Sequence, residues 1–187
     1  MSQNRNKEKL SMPRLTHLFP ALAIALAPTL AFAHTGVGSV AGFAAGFVHP
    51  LGGIDHLVVM IAVGIYAAQL GGRALWAVPA SFVALMAVGG ALGAAGIGLP
   101  FVEIMIALSI VALGIVIAFR IDMPIVAAAA LVGAFAIFHG HAHGAEMPET
   151  ASGLGYGIGF VVATTMLHAV GIGLGLGREK VAARLSA

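Results

Sequence analysis

The chain has no cysteine. That excludes disulfides, thiolate zinc sites and iron–sulfur clusters, and leaves nitrogen and oxygen, with methionine sulfur as a weaker donor, to hold any metal ion. Charge is scarce as well. Nine per cent of residues are charged, against about a quarter in an ordinary soluble domain. The small basic excess is local: four of the nine Lys and Arg (Arg5, Lys7, Lys9, Arg14) and one of the seven acids (Glu8) lie in the first fourteen residues, leaving five bases and six acids elsewhere. A basic face for nucleic acid is therefore absent. No nucleotide-binding motif occurs either, which argues against direct ATP coupling within this chain.

What is abundant is hydrocarbon: sixty per cent of residues are hydrophobic, and most of the 26 glycines sit inside apolar runs. Such a composition suits membrane helices packed closely through small residues. The expected fold is an all-α membrane protein, a small polytopic bundle of five to six transmembrane helices after a cleavable signal peptide. Residues 1–33 read as that signal, with Arg5 to Arg14 as its positive region and Leu15 to Leu30 as its apolar stretch. Ala31-Phe32-Ala33 supplies the small-x-small cleavage site. An uncleaved signal anchor is the alternative, and leaves His34 on the same side. Cleavage makes His34 the amino terminus, where an α-amine of pKa about 7.7–8.0 can join its own imidazole as a ligand; a histidine following the cut by chance explains the residue equally well.

Residues 34–177 form one transmembrane domain in this reading, and 178–187 a cytoplasmic tail. A bilayer core of about 30 Å needs roughly 20 apolar helical residues. The runs 51–70, 74–95, 101–119, 124–143 and 153–176 meet or approach that length. Residues 36–48 are too short and glycine-rich for a straight crossing and suggest a re-entrant, interfacial or tilted segment, with a sixth crossing as second choice. Arg73, Arg120, Arg178, Lys180 and Arg184 all fall on one side of this topology, which the positive-inside rule makes cytoplasmic.

Two polar clusters interrupt the apolar runs, and both fall at the opposite, outer side. The first, F-V-H-P-L-G-G-I-D-H, carries His49, Asp55 and His56; its Pro50, Gly52 and Gly53 predict a bend. The second, F-H-G-H-A-H-G-A-E, carries His139, His143 and Glu146 at helical spacing on one stripe, while His141 points elsewhere. Gly140 and Gly144 beside that stripe would admit another helix, and Pro148 is expected to end the segment. Single histidines at a membrane interface are ordinary polar caps. Five with two carboxylates on one face are more than caps require, and ionisable groups persist in hydrocarbon mainly when paired, hydrated or holding an ion. The expected metal ligands are His34, His49, Asp55, His56, His139, His143 and Glu146. Met60, one turn after His56, together with Glu103, His141 and His168, are candidates for a pathway. Glu103 serves equally well as a charge at a helix N-terminus. Ser109, Thr164 and Thr165 read as helix-packing hydroxyls.

The H-x5-D-H pattern at His49, Asp55 and His56, the F-H-G-x-A-H-G-x-E pattern from Phe138 to Glu146, and the V-E-x-x-I-A-L-S run from Val102 to Ser109 resemble the HupE/UreJ family over the whole mature chain. That resemblance implies a permease for nickel, with cobalt as a further substrate, linked to hydrogenase and urease. It implies a bacterial inner-membrane protein with a periplasmic amino terminus and no permanently bound cofactor. The lipid bilayer and a divalent metal ion are the expected partners, and a homo-oligomer is left open. Two other classes compete on residues alone. An intramembrane metallohydrolase could use Glu146 or Asp55 as its base, although the chain lacks H-E-x-x-H; a haem-binding electron carrier could use paired histidines as axial ligands.

Overall fold

A computed structural model describes residues 42–147 and 153–185. The proposed signal, His34 and Pro148 lie outside the described residues. Among the described residues six helices follow one another: α1 Gly42–Gly52, α2 Ile54–Leu70, α3 Ala74–Ala94, α4 Val102–Ala118, α5 Ile125–Ala145 and α6 Gly153–Leu185. The protein is thus all-α and polytopic. Among the described residues three helical stretches are long and apolar enough to cross a membrane alone (Ala74–Ala94, Ile125–Ala145 and Gly153–Arg178), and α1 with α2 qualifies as a fourth only as a bent pair. Helix α4 is equally apolar but has 17 residues, about 25 Å at 1.5 Å per residue.

Helix α2 is the centre of the bundle and touches each of the other helices. The helices alternate in direction. The start of α2, the end of α3, the starts of α4 and α6 and the end of α5 share one end of the bundle. At the other end, Tyr66 Oη donates to the Ile121 carbonyl at 3.2 Å and Gln69 Nε2 to the Ile117 carbonyl at 3.1 Å. Gly71 and Gly72, with φ of 67° and 51°, close the turn between α2 and α3 in a region that residues with a Cβ avoid.

Two boundaries differ from the sequence reading. Helix α1 runs through Pro50 to Gly52 and meets α2 at 86°. The turn is made by Gly53 alone, in an extended conformation (φ −105°, ψ 119°). Pro50 stands in the last turn of this 11-residue helix, where it removes the N–H that would bond the Gly46 carbonyl and the helix ends two residues later. Helix α6 has 33 residues and continues past the membrane-length stretch into the segment read as a tail.

The helices are held by backbone approach rather than by charge. A Cβ at Gly140 would overlap the Met86 carbonyl, one at Gly144 the Gly90 carbonyl, and one at Gly93 the His141 carbonyl. Helices α3 and α5 therefore pack main chain against main chain, where dispersion and shape replace the hydrophobic drive that lipid does not supply. The same device joins α2 to α6, where Gly64 meets the His168 carbonyl and Gly171 that of Ile61. Gly140→Ala is expected to destabilise the protein by about 1–3 kcal/mol through overpacking. Gly114→Ala, whose Cβ would meet nothing within 4 Å, should instead gain up to about 1 kcal/mol of helix propensity. Thermal unfolding of the detergent-solubilised variants measures both; equal melting temperatures for the two would contradict this packing.

Candidate metal centre

The two polar clusters meet at the shared end of the bundle. His49, from the last turn of α1, places Nε2 3.3 Å from Glu146 Oε2, just beyond the end of α5. Glu146 caps the helix, its N–H still bonded to the Ala142 carbonyl at 3.1 Å, and its carboxylate reaches the cluster. The hydrogen bond from His49 holds the Glu146 carboxyl below its ordinary pKa. One ligand atom from each of His49, His143 and Glu146 lies within 4.8 Å of the others. Bonds of about 2.0–2.2 Å require opposed ligands to stand about 4 Å apart, so a small side-chain adjustment closes this set around one ion.

Beneath this mouth the imidazoles stack edge to face. The His143 ring lies 4.7 Å from His49 and 4.1 Å from His56, and His56 lies 4.8 Å from His139. Side-chain exposure falls from 53% at Glu146 and 39% at Asp55, through 22% at His49 and 11% at His56, to 0% for His139. That gradient orders the groups from surface to interior. Two walls complete the site: Phe160 packs 4.3 Å from the His143 ring, and Tyr156 Oη donates to the His143 carbonyl at 3.4 Å.

The hydrogen bonds fix which ring nitrogens keep a lone pair. Asp55 Oδ1 lies 2.9 Å from His56 Nδ1 and accepts from it, since a carboxylate cannot donate. His56 Nε2 is then the free nitrogen. Ser109 Oγ gives its proton to the Ile106 carbonyl at 2.6 Å, so at 2.9 Å it accepts from His139 Nε2. His139 Nδ1 is left with the lone pair. Among the described residues, eight buried side-chain nitrogen or oxygen atoms lack a hydrogen-bond partner, and seven are imidazole nitrogens, including His56 Nε2, His139 Nδ1 and both nitrogens of His143. Each orphaned buried polar atom costs about 1–3 kcal/mol. A cation that takes these lone pairs removes the penalty, so the donor set fits a nitrogen-seeking metal ion.

Some expected residues stand apart. His141 faces away and lies 2.7 Å from the Ile97 carbonyl, and Glu103 is exposed in the first turn of α4. His168 is fully interior and packs its ring 5.1 Å from Phe82. Asp55 lies outside the His49–His143–Glu146 group and is bonded to His56 Nδ1, the place a carboxylate takes behind a metal-bound histidine. Ser109 makes the helix-packing hydrogen bond expected of it, and its partner across the helices is His139. Phe82, Tyr156 and Phe160 carried no sequence signal.

Fold and site together define a polytopic membrane protein with imidazoles and carboxylates gathered at one end of its bundle. The chain belongs to the HupE/UreJ family: the family described as HupE / UreJ protein matches residues 22–187. It is similar to Protein HupE of Rhizobium leguminosarum bv. viciae, 47% identical over 161 residues that cover 86% of this chain and 82% of that relative. No solved structure matches it.

Asp55→Asn tests the tautomer argument. An amide can donate to Nδ1 and so push the His56 proton onto Nε2, and affinity for Co²⁺, read from its visible absorption, is expected to fall about 10–100-fold. Unchanged Co²⁺ affinity would show that Asp55 does not set the donor nitrogen.

Proposed function

We propose that the protein carries divalent transition-metal ions, nickel foremost and cobalt alongside it, inward across the bacterial inner membrane, and so supplies maturation of enzymes such as hydrogenase or urease. The observation that carries this reading is the convergence of unpartnered lone pairs on His56, His139 and His143 directly beneath the His49–Glu146 mouth. The carboxylates at the mouth attract a hydrated cation, and the imidazoles below replace part of its water shell. Neutral nitrogen ligands bind nickel, copper and zinc alike, so selectivity rests on geometry and on what lies deeper. Membership of the HupE/UreJ family supports the same reading.

Orientation follows from charge. Arg73 and Trp76 share a cleft with Pro124 and Ile125 at the end of the bundle remote from the cluster, and Arg178 and Arg184 lie towards the far end of α6. The positive-inside rule makes that end cytoplasmic and the cluster end periplasmic. Edge-to-face packing of the imidazoles at 4.1–4.8 Å supports an ion-sized ligand over a macrocycle, which would have to part the rings.

Nickel accumulation in cells expressing wild type, His56→Ala or His143→Ala tests the proposal. Both substitutions are expected to abolish uptake while leaving the amount of protein in the membrane unchanged. Equal accumulation in all three would remove the transport reading.

A further inference from the structure

Helices α2, α3 and α6 carry a second set of donors below the imidazole cluster, arranged in layers one helical turn apart. On α2 the sequence of layers is His56, Met60, Gly64; on α6 it is Phe160, Thr164, His168; on α3, running oppositely, it is Met86 then Phe82. Contacts lock the layers together. Phe160 meets His143 in the upper one. In the middle layer Thr164 Oγ1 lies 3.5 Å from Met60 Sδ and 3.7 Å from Met86 Sδ. In the lower one Phe82 packs on His168, and Gly64 lies against the His168 carbonyl.

Three features set this inner group apart from ordinary packing. Met60, Met86, Thr164 and His168 are each at most 1% exposed. Thr165 turns its hydroxyl back to the Val161 carbonyl at 2.7 Å, the default for a helix, whereas Thr164 is aimed at two thioethers. Both ring nitrogens of His168 are buried without a partner. The Phe82 ring lies 6.0 Å from His139 and 5.1 Å from His168, so it stands between the outer imidazoles and this inner one. Eight residues of helix from Phe160 to His168 put the lower layer about 12 Å deeper than the mouth-side walls.

We propose that the Met60 and Met86 thioethers, the Thr164 hydroxyl and the His168 imidazole form a second, inner binding stage that accepts thiophilic and imidazole-seeking cations and rejects hard ones. The inference rests on the transport reading for its direction of flow but not for its ligands. The inner stage holds no carboxylate: residues 57–70, 74–94 and 153–177 contain no acid. Magnesium, calcium and manganese, which depend on charged or carbonyl oxygen, gain little there, while softer ions use sulfur and nitrogen. A stage built from neutral donors also binds weakly enough to release its ion onward, as conduction demands.

The test uses the purified full chain and Ag⁺ as a soft probe, alongside Ni²⁺ uptake in cells. X-ray absorption of the Ag⁺-loaded wild type is expected to show sulfur in the first shell. Met60→Leu/Met86→Leu, a volume-conserving change that cores tolerate, should lose that sulfur, and His168→Gln should lose nitrogen while keeping it. A nitrogen- and oxygen-only shell in wild type, or a sulfur signal that survives the double leucine variant, overturns the inner stage. In cells, the double variant should lower Ni²⁺ uptake at least tenfold; uptake at the wild-type rate, with His56→Ala inactive, overturns its place in transport but leaves the outer site standing. Failure of wild type itself to accumulate nickel removes the transport reading, and the Ag⁺ shell still decides whether the inner site exists.

Discussion

Main chain lying on main chain is the constraint from which the other features follow. Gly140 and Gly144 on α5, set against Gly90, Gly93 and the Met86 carbonyl on α3, bring two helices closer than any side chain would allow. With the axes so near, His139 and His143 have no freedom to swing outwards into lipid, and their rings are committed to the interior. The second glycine seam, Gly64 with Gly171, fixes α6 against α2 and carries Phe160, Thr164 and His168 into the same column. Polar groups in this bundle are positioned by packing first and by hydrogen bonds second.

The hydrogen bonds then decide what the packed rings can do. Asp55 and Ser109 sit behind His56 and His139 and occupy the nitrogen that faces away. The nitrogen facing the interior is left as a lone pair, in a setting where an unpaired polar atom is costly. Burial without a partner is tolerated because few alternatives exist: the glycine seams forbid the helices to part, and lipid offers no donor. The cation site proposed above would thus be held ready by the same forces that hold the bundle together.

Much of this was legible in the sequence. Separated by four apolar runs, the two clusters had to face the same side, and the structure brings His49 and His56 against His143. Gly140 and Gly144 announced a close helix. Other features could not be read, for physical reasons. Periodicity groups Glu146 with His143, and the two do gather, but spacing along one helix says nothing of His49, from another helix, completing the group. Pro50, Gly52 and Gly53 announced a bend, but which of them turns the chain could not be read; it is Gly53. Ser109 lies thirty residues from His139, and a pairing across helices leaves no trace in local spacing. Phe82, Phe160 and Met86 look like any core residue until the neighbours on other helices are known.

The ring tautomers carry one more consequence, for protons. His56 and His139 already keep their hydrogens on the outward nitrogens, and neutral His143 has a bare nitrogen whichever tautomer it adopts. Only His49, whose Nε2 hydrogen is given to Glu146, must surrender a proton or turn its ring to engage an ion through that atom. In the transport reading proposed above, an ion entering at the mouth would have to part the His49–Glu146 pair first, whereas the imidazoles below it already hold bare nitrogens.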